Sequence, residues 1–72
     1  NIIDPKTLKI CNDMQQALED LNGYAKSQNC LINQYREIAL CSAGTAQKHI
    51  KIALENDFIT KVEDGQLYHY KL

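Results

Sequence analysis

A chain of 72 residues has room for one small domain, and about 60% burial of its unfolded surface rules out a large multilayered core. Eight basic and nine acidic side chains give a net charge of -1, which excludes strong non-specific attraction to polyanions and leaves local charge placement to decide any nucleic-acid contact. The three cysteines, Cys11, Cys30 and Cys41, are odd in number and lack C-x-x-C spacing, so they read as buried thiols in a reducing, cytoplasmic compartment. Cys30, Cys41, His49 and His69 match no usual zinc spacing, and neither metal nor cofactor is expected. No apolar run approaches the ~20 residues of a membrane span, and no signal peptide is evident. A first residue Asn1 in place of Met fits a processed product or a domain cut from a larger protein.

In chain order, Asp4-Pro5 is a helix start: Asp is a good N-cap, and Pro is tolerated where the first N–H would be unpaired anyway. Leu8, Cys11, Met14, Leu18, Leu21 and Ala25 follow in steps of three and four, one helical face. Ile10, Ala17 and Tyr24 form a second, partial stripe, a candidate homodimer contact whose competing reading is packing on the hairpin. Asn22-Gly23 is a place to weaken or end this helix, and Ser27-Gln28-Asn29 reads as its true exit, which sets the leading helix at about 5–27. Asn33 is the next cap candidate, for a helix over about 34–41. Ser42 caps a third helix over about 43–56, with Ala46, Ile50, Ala53 and Leu54 as its inward stripe.

The run 58–63 is β-prone, and Asp64-Gly65 signals a type I′ hairpin with 66–72 returning. A turn there sets Glu63 opposite Gln66, Val62 opposite Leu67, Lys61 opposite Tyr68, Thr60 opposite His69 and Ile59 opposite Tyr70. Ile59, Tyr68, Tyr70 and Leu72 then share the core face, while Val62 and Leu67 share the other. The fold class is mainly α with a small β-hairpin: three helices and a two-stranded wing, one domain over 1–72.

Three stretches resemble a winged helix-turn-helix domain of the kind found in prokaryotic, plasmid or phage regulators. "REIA", Arg36 to Ala39, is similar to the second helix, where a small residue lets the next helix approach. Ser42 to Ile59 resembles a capped recognition helix running into the first wing strand, and "KVEDGQLYHY", Lys61 to Tyr70, resembles the wing. The likeness covers residues 32–72, with 1–31 matching only as a generic leading helix. The helix-turn-helix itself is placed at about 33–57 and the wing at about 58–72. Only Leu40 and Cys41 separate Ala39 from Ser42, a shorter connection than the family usually has, which predicts a short second helix or a tight turn.

The resemblance implies sequence-specific binding of double-stranded DNA, in transcription regulation or in replication or partition of a mobile element, with the helix after Ser42 in the major groove. The residues agree with that chemistry. Thr45, Gln47 and Lys48 lie near the start of the helix and Lys51 one turn on; Gln pairs with adenine, and Lys reaches guanine or phosphate. Ser42 and the free N–H groups at the helix start suit a phosphate, Gly44 permits close backbone approach, and no acidic side chain occurs from Ala43 to Leu54. Arg36 is a phosphate candidate from the second helix. In the wing Lys61, with His69 and Lys71, is a backbone candidate, but Glu63 and Asp64 would repel phosphate at the tip, so the wing's share is expected to be small. His49 reads as a partly buried structural residue, and Tyr68 and Tyr70 as core.

The alternative is a winged-helix module that binds protein within a larger complex, in line with the near-neutral charge and the Val62/Leu67 patch. An enzyme is not expected: the sequence has no Gly-rich phosphate loop, no metal-ligand spacing and no nucleophile–base pair, and a domain this small leaves little room for a deep substrate pocket.

Overall fold

The computed structural model describes residues 3–72, so the part of the one-domain reading that concerns residues 1 and 2 lies outside the described residues. Three helices and a small antiparallel sheet follow in the order α1 (Pro5–Asp20), β1 (Tyr24–Ala25), α2 (Gln28–Ala39), α3 (Ala43–Glu55), β2 (Thr60–Asp64) and β3 (Leu67–Lys71). The fold is mixed α+β and mainly helical, and its sheet has three strands in the order β1-β3-β2 rather than the two expected.

The leading helix starts at Pro5 as expected, but it ends at Asp20, seven residues before the predicted exit. The cause lies in Asn22-Gly23. Asn22 takes φ 64° and Gly23 φ 82°, both left-handed. Gly23 N–H then donates to Leu18 C=O at 2.7 Å and Asn22 N–H to Glu19 C=O at 3.0 Å, closing the last helical carbonyls. The chain reverses there, and Tyr24 and Ala25 pair with Lys71 and Tyr70 of β3. Ser27, read as an exit, is the N-cap of α2: its Oγ accepts the Cys30 N–H at 3.2 Å. The second helix is therefore neither short nor capped at Asn33. It buries Leu31, Ile32 and Tyr35, and the tight element is the turn behind it, where Leu40 sits at φ 51°, ψ 49°.

The third helix matches its signals closely. Ser42 Oγ accepts the Thr45 N–H at 3.2 Å, and the helix runs to Glu55, one residue short of the expected end. It closes with the same two-bond motif as α1: Phe58 N–H donates to Ala53 C=O, Asp57 N–H donates to Leu54 C=O, and Asp57 takes φ 60°.

Cys11, Met14, Ala17 and Leu18 of α1 meet Leu31, Ile32 and Tyr35 of α2, Ala46, Ile50 and Ala53 of α3, Ala25 and Tyr70 of the sheet, and Ile59 just before β2 in one core. Ala46 and Ala53 are fully buried, so α3 has no spare volume along this side. A larger residue at either site would cost about 1–3 kcal/mol through forced displacement. Gln15 Nε2 donates to Phe58 C=O at 3.0 Å and ties α1 to the segment leading into β2. Two members of the expected α1 stripe fall elsewhere: Leu8 is exposed at the helix start, and Ala25 enters the core from β1.

The hairpin register differs from the expectation by two residues. Asp64 faces Leu67, Glu63 faces Tyr68, Val62 faces His69, Lys61 faces Tyr70 and Thr60 faces Lys71, with Gly65-Gln66 as the turn. Gly65 has φ 66° whereas Asp64 and Gln66 do not enter the left-handed region. Positive φ at the first central position alone needs one glycine, whereas a turn centred on Asp64-Gly65 would force Asp64 there as well. A shift of two preserves the faces. Ile59 and Tyr70 are buried as expected, but Tyr68 and Leu72 are about half exposed because the hairpin projects past the helices.

Candidate nucleic-acid interface

The N-terminal turn of α3 and the end of α2 form one surface. Ser42 caps the helix with both of its hydrogen-bonding functions: its Oγ accepts the Thr45 N–H and donates to Thr45 Oγ1 at 3.0 Å. Thr45 is half-buried, so its hydroxyl serves the cap before any ligand. Arg36 Nε donates to Cys41 C=O at 2.9 Å, which holds the guanidinium beside the residue preceding the cap. That bond satisfies a turn carbonyl and sets a fixed positive charge next to the helix start. Gly44, Gln47, Lys48 and Lys51 are exposed. A Cβ built on Gly44 meets nothing within 4 Å, and its φ is not left-handed, so neither folding nor packing requires glycine there. Among the described residues, Lys48 and Lys51 take part in no ion pair, the two recorded being Lys9–Asp13 and His69–Asp64.

The inner flank of the same helix holds a pair that sequence reasoning missed. Tyr35 Oη and His49 Nδ1 share a hydrogen bond of 2.7 Å, with the rings edge to face, 5.6 Å apart. Burial lowers the His49 pKa and, as the leading cause, pushes that of Tyr35 up to about 12. Both shifts favour the uncharged forms of the two side chains. The spacing of Tyr35 and His49 on different helices left no local signal of this contact.

Comparison with protein-family models, with curated proteins and with solved structures finds no match to this chain.

The remaining candidates divide. Lys61 is exposed, with its ammonium 4.1 Å from the centroid of the Tyr68 ring, and Glu63 and Asp64 are exposed beside it toward the hairpin tip. His69 is half-buried and engaged: its Nδ1 lies 2.6 Å from Tyr24 Oη and 3.1 Å from Lys26 C=O, and its ring stacks on Tyr24 at 5.5 Å. The proposed Ile10, Ala17 and Tyr24 stripe does not form. Ala17 is fully buried, Ile10 is half-buried on α1, and Tyr24 belongs to β1 on the outer sheet face, because the helix ends before reaching it. As a helical dimer contact these three residues are withdrawn.

An open depression of about 510 Å³ lies at the α2–α3 turn, lined by Asn33, Arg36, Glu37, Leu40 and Cys41. It is a surface groove rather than an enclosed pocket. Leu40 on its rim is 87% exposed, an unusual position for a leucine and one that neither periodicity nor spacing announced. No helix among the described residues is long and apolar enough to cross a membrane.

Proposed function

We propose that this chain is a winged helix-turn-helix domain that binds double-stranded DNA sequence-specifically, with α3 in the major groove, and acts in transcription regulation or in replication or partition of a mobile element in the cytoplasm. The observation that carries the reading is the outward side of α3: Gln47, Lys48 and Lys51 stand exposed and unpaired among the described residues, on a helix whose first turn is open and capped, with Arg36 fixed beside it. The element order is compatible with it: a short strand lies between the first two helices and a hairpin follows the third.

Each residue has a stated part. Gln47 offers a donor and an acceptor to an adenine edge, and Lys48 contacts guanine or phosphate. Lys51 and Arg36 contact phosphates, while Ser42 and the first N–H groups of α3 sit where a phosphate oxygen is favoured by the helix dipole. Gly44 leaves room for the sugar-phosphate backbone. Lys61 adds at most one contact, opposed by Glu63 and Asp64. With a net charge of -1 a single copy binds feebly, so productive binding uses two copies on paired half-sites or a larger host protein.

Selection from random duplexes at moderate salt tests this directly. An enriched motif expected at one or two half-sites supports it. A second reading, a protein-binding module, draws on the outer sheet face, where Val62 and Leu67 are exposed together; no enrichment in the duplex selection would favour that reading.

A further inference from the structure

The sheet order β1-β3-β2 leaves β2 at an edge, and all five of its residues, Thr60 to Asp64, are exposed. A two-residue turn closes on a hydrogen-bonded pair, here Asp64 with Leu67. Alternation along the ladder then engages Val62 and Thr60 with β3 and directs the N–H and C=O of Lys61 and Glu63 toward the open side.

From this edge we infer that β2 is a self-association site, taking the β2 strand of a second copy in an antiparallel pair centred on Val62. In that register Lys61 of each copy faces Glu63 of the other, and these are the two residues whose backbone groups point outward, so they make the hydrogen-bonded pairs. Val62 meets its own counterpart at the two-fold axis as a non-hydrogen-bonded pair, where side chains approach most closely. Thr60 faces Asp64 across the junction, a hydroxyl opposite a carboxylate.

Charge selects this register over its neighbours. Sliding by one residue per copy, the smallest shift that preserves the two-fold and the hydrogen-bonding alternation, places Lys61 opposite Lys61 or Glu63 opposite Glu63. Parallel in-register pairing sets every charge against its like. Charged residues on an edge strand ordinarily discourage pairing with another chain; here their order makes one arrangement attractive and the others repulsive. Lys61 and Glu63 take part in no ion pair within the described residues, so neither must leave an existing salt bridge to form the new one. Joining the three-stranded sheets of two copies gives a continuous six-stranded sheet, with Val62 and Leu67 of both copies forming one apolar strip on its outer face.

Five residues of edge span roughly 17 Å, a small contact, so the association is weak and concentration-dependent. It is independent of the DNA reading and is tested without DNA. Sedimentation equilibrium of the whole chain up to about 1 mM is expected to show a monomer–dimer equilibrium. Lys61→Glu alone and Glu63→Lys alone each replace both cross-strand pairs by like charges and are expected to raise the dimer Kd at least about tenfold. Combining them restores opposite charges in reverse order and returns the Kd to within about threefold of wild type. Circular dichroism establishes that all three variants are folded. Amide exchange supplies a second readout: the Lys61 and Glu63 N–H groups slow as concentration rises, while that of Val62, already paired with β3, does not. A wild type monomeric at the highest concentration, single variants as dimeric as wild type, or a combined variant no better than the singles would overturn the inference.

Discussion

Replacing Gly44 by alanine separates what the fold needs from what the proposed interface needs. Gly44 is the second residue of α3, its backbone is not left-handed, and an added Cβ meets nothing within 4 Å. Glycine inside a helix is disfavoured relative to alanine by about 0.8–1.0 kcal/mol, because it surrenders more backbone freedom on folding. The first turn is less constrained than the interior, so roughly half of that, about 0.5 kcal/mol, is expected here. For a domain of this size that raises Tm by about 2–4 °C. Thermal unfolding followed by circular dichroism measures it, and titration of a selected duplex measures the other half. If the glycine serves close approach of α3 to the sugar-phosphate backbone, the methyl weakens duplex binding in the same protein that it stabilises. A lower Tm would refute the structural reasoning, and unchanged affinity would remove Gly44 from the interface.

Leu40→Gly is expected to stabilise the chain by about 0.5–1 kcal/mol, because a left-handed residue carries a steric penalty of about 1–2 kcal/mol that glycine avoids, less the extra entropy glycine loses; a fall in the urea midpoint would contradict it. The Tyr35–His49 pair sets a pH dependence at both ends. Burial lowers the His49 pKa, so as pH falls below about 6.5 the unfolded chain binds a proton that the folded chain does not, and stability drops until the folded imidazole is itself protonated. The Tyr35 hydroxyl holds its proton up to about 12, so from about pH 10 upward the unfolded chain ionises first and stability again declines. Urea midpoints across pH test both limbs, and His49→Gln should flatten the acid one. Ala17→Asp is expected to unfold or severely destabilise the domain, since it buries a carboxylate in the centre of the core; a folded variant with altered oligomeric state would reinstate Ala17 as a surface residue.

What was legible in the sequence was whatever depends on neighbours along the chain. Ser42 and the stripe Ala46, Ile50 and Ala53 carry their reasons within a few residues, and α3 lies where those signals put it; Gly65 likewise marks the hairpin, although the turn falls at Gly65-Gln66 rather than Asp64-Gly65. The end of α1 was misread because the same polar residue types stop helices and start them. Asn22 and Ser27 were both candidates for the exit, and only the left-handed Asn22-Gly23 pair, with its two carbonyl closures, shows which one ends the helix. Misreading Ser27 then hid the first turns of α2, although Leu31, Tyr35 and Ile38 already stood at helical spacing.

Strand β1 has only two residues and exists because Tyr70 and Lys71, far away in sequence, offer it a ladder. No local pattern encodes that. The same holds for the inner flank of the site: the outward lysines of α3 follow from periodicity, whereas the Tyr35–His49 contact arises from the packing of α2 on α3, and the Arg36 bond to Cys41 from the turn at Leu40. The Ile10, Ala17 and Tyr24 stripe failed for a simple reason: its spacing assumed a helix that had already ended.

DNA binding as proposed requires the outward side of α3 to meet phosphates and bases. Its most direct test is the affinity for a selected duplex, measured across a salt series for wild type, Lys48→Ala and Lys51→Ala. Each phosphate neutralised contributes about -0.9 to the slope of log K against log salt. Wild type is expected to show a steep negative slope, both variants weaker binding, and whichever lysine contacts a phosphate a slope shallower by about one on substitution. Binding that ignores salt and survives both substitutions unchanged would contradict it.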